Sequence, residues 1–201
     1  APLGAPHHPL ALEALSRPRT VLRVPPSSDL MPVIASASTA GDTLVVCPSV
    51  VMAARLATRI RRAGGDVALL PRDWHLAAAG GRIVIGARAA AFAPMPRLGA
   101  VVVIDEHDEA LQQEGSPTWH AREVCLERAR RARVPAIMTS SCPTLESQQR
   151  AVLIAPSRSE ERAGWPIVEV VDRRDDDVGR TGLYSEVVVG RLREAVRAGA
   201  P

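Results

Sequence analysis

Four residues, Asp105-Glu106-His107-Asp108, follow directly on the run Ala100 to Ile104, AVVVI. A short, continuous, β-branched run is the pattern of a strand buried on both faces of a parallel sheet. Open α/β sheets place their ligands in the crevice beyond the carboxyl ends of such strands. In a nucleotide-driven motor an acidic pair at that spot, here Asp105 and Glu106, positions magnesium and the attacking water. A solvated acidic turn after a strand would leave the same four letters, so on these residues alone both readings stand.

The elements that must carry this cluster read as follows. Residues 1–9 have no periodic pattern and are expected to be a linker or frayed start; His7 and His8 lack metal-ligand partners at useful spacing. Leu10 to Leu15 predicts a short helix, Thr20 to Val24 a first strand, and residues 33–40, VIASASTA, a helix. Between the last two lies Val24-Pro25-Pro26-Ser27-Ser28-Asp29, where a nucleotide-binding domain would carry its glycine-rich phosphate loop. This loop has no glycine and no lysine, and its prolines remove N–H groups that would cradle phosphate oxygens.

Thr43 to Cys47 predicts a second strand. Ser49 is expected to cap a helix whose Val50, Ala53, Ala54, Ala57 and Ile60 face the sheet, with Gly64-Gly65 ending it. Val67 to Leu70, Arg82 to Ile85 and Ala136 to Thr139 predict further strands. Arg72 to Gly80 is a short helical or irregular connection. Pro117 is expected to open a helix over 119–133, and a last helix of this region begins near Leu145. Strands alternating with helices predict a doubly wound, mainly parallel sheet of about six to seven strands with right-handed crossovers. Val152 to Ile154 and Ile167 to Val171 are strand-like, Arg173 to Arg180 a charged turn, and Leu183 to Ala198 an amphipathic helix.

Among the 201 residues, all 25 basic side chains are arginine. Chemistry that needs an ammonium group, such as a phosphate-loop lysine or a lysine Schiff base, is thereby excluded. The net charge of +3 does not by itself announce a nucleic-acid binder. Aromatic side chains are few, so strand binding would lean on phosphate contacts. Cys47, Cys125 and Cys142 show no metal spacing, and each is expected to be a small buried hydrophobe in a reducing compartment. With no membrane-length apolar run and no signal-peptide plan, a cytoplasmic protein without membrane contact is expected.

Several stretches are similar, in order and spacing, to the first motor lobe of the primosomal replication-restart (PriA) family, which are superfamily 2 DNA helicases. They are Asp105-Glu106-His107-Asp108, Gln112-Gln113-Glu114-Gly115, His120-Ala121-Arg122-Glu123 and Pro143-Thr144-Leu145-Glu146-Ser147. Upstream, Gly86-Ala87-Arg88 with Ala91-Phe92-Ala93-Pro94 resembles the family's G-T-R-S-A-x-F-A-P, and residues 44–50, LVVCPSV, its L-V-L-V-P-E-I. Residues 166–173 resemble the segment leading to the second lobe. The resemblance implies a RecA-like lobe over 10–163 and a connection over 164–201 toward a second lobe that the chain lacks.

It also implies ATP and magnesium as cofactors, with zinc held in a region absent here. Asp105 and Glu106 would stand at the catalytic acidic pair, and Val24 to Asp29 at the ancestral phosphate loop. Arg88, Gln112, Gln113 and Arg122 would face DNA, while Ser140, Ser141 and Thr144 would couple nucleotide state to lobe movement. Implied partners are forked or single-stranded DNA, other primosome proteins and the remaining domains of the polypeptide. The missing phosphate loop, and D-E-E-H shortened to Asp105-Glu106-His107, make a degenerate branch without helicase or ATPase activity the expectation. The alternative is an active 3'-to-5' helicase in which Arg23 or another arginine replaces the lysine; a lobe that only presents protein-binding surface is the third.

Overall fold

The structure is a computed structural model and describes residues 3–4, 6–174 and 182–199. Seven parallel strands form one sheet: β1 (Arg19–Arg23), β2 (Asp42–Val46), β3 (Val67–Leu69), β4 (Ile83–Gly86), β5 (Leu98–Val103), β8 (Ala136–Ser140) and β9 (Val152–Ile154). Their order across the sheet is β3-β4-β2-β5-β8-β1-β9, with β5 at the centre, as a doubly wound α/β fold requires. A two-stranded antiparallel ribbon, β6 (Gln112–Gln113) and β7 (Trp119–His120), lies apart from it. The helices of this body are α1 (Pro9–Ala14), α2 (Met31–Ser38), α3 (Val50–Arg62), α4 (Trp74–Ala79), α5 (Ala121–Ala132), α6 (Leu145–Arg150) and α7 (Arg158–Ala163).

The two-residue period of the strands divides the core. Leu22, Val45, Val102 and Ile137 point to one face, where α1, α2 and α3 cover them with residues such as Ala11, Ile34, Leu56 and Ile60. Val21, Leu44, Val101, Val103 and Met138 point to the other, beneath Ala77 of α4 and Cys125, Leu126 and Ala129 of α5. Because both faces are buried, the central strands carry no polar alternation, which is why they read as unbroken apolar runs. Each fully buried Leu or Ile contributes roughly 1.5–3 kcal/mol by leaving water.

Local chemistry sets the helix limits. Ser49 caps α3 by accepting from the Met52 amide, and Arg59, Arg61 and Arg62 occupy its last turn, where cations meet the negative end of the helix dipole. Gly64, at φ +79°, then turns the chain. Val50 is 59% exposed and Leu56 takes its place on the buried face of α3, a correction to the expected stripe; Val50 stands in the first turn, beyond the sheet's edge of cover. The helix expected from Trp119 begins at Ala121 instead. Trp119 and His120 pair with Gln113 and Gln112, and the His120 imidazole Nδ1 accepts from the Arg122 amide as the cap. Cys47 and Cys125 are buried, but Cys142 is exposed in the turn after β8. At the start, Leu3 is buried and the Gly4 amide donates to the Ala63 carbonyl.

Residues 166–201 form a separate compact unit. Its helix α8 (Glu186–Arg197) is capped by Ser185 and keeps Val187, Leu192 and Val196 substantially exposed. Residues 167–171, expected as a strand, adopt no regular structure because no neighbouring strand offers them a ladder; most of the expected 173–180 turn lies outside the described residues. No helix among the described residues is long and apolar enough to cross a membrane.

At the start of β5 the backbone of the α2–β2 turn comes close enough that a Cβ on Gly99 would lie 2.4 Å from the Ala40 carbonyl oxygen and 2.8 Å from the Gly41 Cα. Those atoms are backbone and cannot swing aside. Gly99→Ala should therefore destabilise the protein by roughly 1–3 kcal/mol through overpacking, read as a lowered denaturant midpoint at unchanged m-value.

Candidate functional site

The carboxyl ends of β1, β2, β5 and β8 converge, and β5 delivers the acidic cluster there. The Ile104 amide donates to Val46, and Asp105 turns the chain at φ 49°, a left-handed conformation that aspartate tolerates better than most residues. The Asp105 amide donates to Thr139 Oγ1 and the Glu106 amide to the Thr139 carbonyl, so β8 fixes both residues. The turn sends the two carboxylates to different environments. Asp105 is half-buried, and its carboxyl is pushed above the usual range by burial, against an opposing pull from His107. Glu106 is fully buried.

Four donors converge on the Glu106 carboxylate. Oε1 accepts from the Thr144 amide at 2.8 Å; Oε2 accepts from Arg122 Nη1 at 2.7 Å, Thr144 Oγ1 at 3.0 Å and Ser147 Oγ at 2.6 Å. Burial alone would raise its pKa, but the bonds from Ser147, Thr144 and Arg122 outweigh burial and hold the carboxyl below the ordinary glutamate value. Arg122 is likewise held charged, its burial outweighed by Glu106 and Glu123, and its side chain is only 12% exposed. Thr144 also caps α6 by accepting from the Ser147 amide. A single carboxylate thus ties the end of β5 to the first turns of α5 and α6.

Around this point, Ser140 Oγ lies 2.7 Å from His107 Nδ1 and accepts from the Cys142 amide, which shapes the turn. Ser140 is fully buried, whereas His107 is exposed. Burial, with the Arg122 cation, pushes the His120 imidazole below its ordinary value. Among the described residues no group of three or more His, Cys, Asp or Glu side chains could hold a metal ion.

The segment Val24 to Asp29 is occupied by the protein itself. Asp29 stands at the start of α2: its Oδ1 accepts from the Met31 amide, and its Oδ2 pairs with Arg59 at 2.6 Å. A carboxylate there meets the positive end of the helix dipole, the position a phosphate would otherwise take. Both the amide and the hydroxyl of Ser27 donate to the Gly164 carbonyl, just past α7. The approach is so close that a Cβ on Gly164 would lie 2.3 Å from Pro25 Cβ. Arg23, at the end of β1, pairs with Glu161 of α7 at 3.3 Å.

Of the residues expected to face DNA, Arg88, Gln112 and Gln113 gather on one side and Arg122 does not join them. Arg88 donates to the carbonyls of Ala110 and Gln112, and its guanidinium lies 6.0 Å from the Trp119 ring centroid. Trp119 meets Phe92 edge-to-face at 4.8 Å, and Phe92 is 54% exposed. An exposed Phe92 on a half-buried Trp119, beside a cation and two amides, can stack a base and bind a phosphate oxygen. Ser141 makes no hydrogen bond in the described structure. Ser147, the shortest donor to Glu106, escaped sequence reading; its signal was the small polar residue three positions after the Thr144 cap. Arg128 of α5 donates to the carbonyls of Ala91 and Ala93.

No family model matches this chain. Curated relatives do. A replication restart protein PriA from Bacillus subtilis is 35% identical over 125 residues, 59% of this chain and 15% of the relative. One from Synechocystis is 32% identical over 176 residues, covering 76% of this chain and 21% of the relative. A probable replication restart protein PriA from Mycobacterium tuberculosis is 34% identical over 142 residues, 65% of this chain and 22% of the relative. The chain therefore spans about a fifth of the length of such relatives. In fold it is similar to a structure of S. cerevisiae Dbp5 bound to Gle1 and IP6, with TM-score 0.54 and 11% identity over 76% of this chain and 51% of that one.

Removing the Glu106 charge while Arg122 stays buried should cost about 3 kcal/mol, so Glu106→Gln is expected to lower the denaturant midpoint. The pH dependence follows the depressed carboxyl. Its contribution is fully present above the ordinary value of 4.5 and is lost as pH falls through the lower folded value. Chemical denaturation between pH 7 and pH 3 should show wild type losing more stability than Glu106→Gln; equal losses would count against the network.

Proposed function

Because this chain is a PriA-like segment with a RecA-like fold, we propose that it serves replication restart as a DNA-facing, primosome-organising lobe that does not hydrolyse ATP. The observation that carries this reading is the engagement of Glu106: a fully buried carboxylate that already accepts four hydrogen bonds, one of them from the Arg122 cation, is committed to holding the protein together rather than to magnesium or water. The residues around the old nucleotide position do not fit a triphosphate. Asp29 already stands at the start of α2, the Ser27 amide is spent on Gly164, and Pro25 and Pro26 have no N–H to give. Arg23, the candidate to replace the lysine, is drawn through its Nη1 to Glu161 at 3.3 Å. Several preorganised donors are lost together, and losing even one typically costs ~3 kcal/mol of transition-state stabilisation.

What remains suited to nucleic acid is the Arg88, Phe92, Trp119 and Gln112-Gln113 group, which supplies stacking surface and polar atoms without any nucleotide-dependent part. Arg122 is better understood as the structural counter-ion of Glu106 than as a DNA contact, and Thr144 as a clamp rather than a coupling residue. Asp105 has the freer carboxylate of the pair but stands alone. Partners under this reading are forked or single-stranded DNA and other primosome proteins, and the lobe acts in the company of the domains that its relatives carry beyond the matched fifth of their length.

In a phosphate-release assay with single-stranded DNA present, wild type and Glu106→Gln should both stay at background. Turnover in wild type that the substitution abolishes would overturn the reading. Fluorescence anisotropy with labelled forked DNA should in turn show binding that weakens with salt, and its complete absence would remove DNA from the proposal.

A further inference from the structure

A cleft of about 870 Å³ lies at the opposite end of the sheet from Glu106, where β1, β8 and β9 begin. Five guanidiniums surround it: Arg17 and Arg19 from the entry to β1, Arg130 and Arg133 from the end of α5, and Arg150 from the end of α6. No acidic residue is among those lining it. Arg17, Arg130 and Arg150 form ion pairs with Glu13, Glu127 and Glu123, but all three arginines are strongly exposed, and such pairs are worth little and rearrange readily. Arg19 and Arg133 have no ion-pair partner among the described residues. Arg133 is held in a left-handed conformation, φ 55°, at the end of α5, so its side chain starts from a fixed backbone position.

Arg130 and Arg150 stand in the last turns of α5 and α6, where the helix dipole favours a cation, but Arg19 and Arg133 add like charge to the same concavity at a cost in repulsion. The complement is an extended anion. The lining contains no aromatic side chain, so base stacking, the main sequence-tolerant grip on single strands and free nucleotides, is missing. Guanidinium forks bind phosphate oxygens bidentately, and the remaining feature they can read is a regular ladder of backbone phosphates.

We propose that this arginine cleft grips the phosphate backbone of duplex DNA, giving the lobe a second nucleic-acid contact at the far end of the sheet from Trp119 and Arg88. The inference rests on the proposed reading that DNA is a partner, and deepens it by assigning the duplex arm of a fork to this end. The contact is made by charge and placement alone, so it is indifferent to sequence and sensitive to salt.

The test uses the whole chain and a labelled blunt duplex, followed by anisotropy over a range of salt concentrations. The double variant Arg19→Gln with Arg133→Asn should bind more weakly, with its log affinity against log salt shallower by about 2 because two phosphate contacts are gone. Arg55→Gln with Arg62→Gln removes the same charge from α3 and should leave the slope as in wild type. Equal effects of the two variants, or none from the first, would overturn the cleft while leaving DNA binding in place; absence of DNA binding by wild type overturns both. Should the first variant fail to fold, phenylglyoxal modification of wild type, mapped by mass spectrometry, decides. Duplex should protect Arg19 and Arg133 but not Arg55, and protection by polyglutamate rather than duplex would assign the cleft to an acidic protein instead.

Discussion

A glutamate carboxylate cannot be taken wholly out of water unless its charge and lone pairs are met, and much of this lobe is arranged to meet those of Glu106. The β5 strand ends at the position where the carboxylate leaves the sheet, β8 pins the turn through Thr139, and α5 and α6 both start from residues that donate to the same two oxygens. Neither helix start is independent of the other, because Thr144 at once caps α6 and donates to Glu106, and Arg122 spans from Glu106 to Glu123, which in turn reaches Arg150 at the end of α6. The buried carboxylate at the end of the central strand thus serves as a structural tie.

Protein groups also satisfy one another at the end of β1. Asp29 supplies the negative charge at the helix start, Gly164 supplies the carbonyl that Ser27 faces, and Glu161 supplies the counter-ion of Arg23. Proline at positions 25 and 26 makes this arrangement cheap, since residues without N–H groups leave no donors stranded when no phosphate is bound. The two places are consistent: at both, beyond the carboxyl ends of the strands, polar groups are met from within the protein.

Much of the fold was legible in the sequence because strands buried on both faces give uninterrupted β-branched runs, and Ser49, Gly64 and Pro135 punctuate them with known turn chemistry. The ribbon formed by Gln112-Gln113 and Trp119-His120 was not, since two-residue strands carry no periodicity. The exposure of Val50 depended on where the sheet ends rather than on the helical stripe. At the site, the proline-rich loop and the acidic pair were readable as residue types. The direction of Arg122 and the part played by Ser147 were not, because a buried network depends on which side chains tertiary packing brings together. The engagement of Arg128 is of the same kind: two carbonyls of a neighbouring turn claim a side chain near a helix end.

The three cysteines divide sharply. Burial pushes the thiols of Cys47 and Cys125 up to about 12, whereas Cys142 stands open in the turn between β8 and α6, its amide bonded to Ser140. In a chain without lysine, soft electrophiles such as maleimides therefore meet one accessible sulfur, two residues from the Thr144 clamp. A fluorophore attached there would sit beside the knot that joins three secondary-structure elements and would register its loosening from the inside of the wild-type sequence, with no engineered handle.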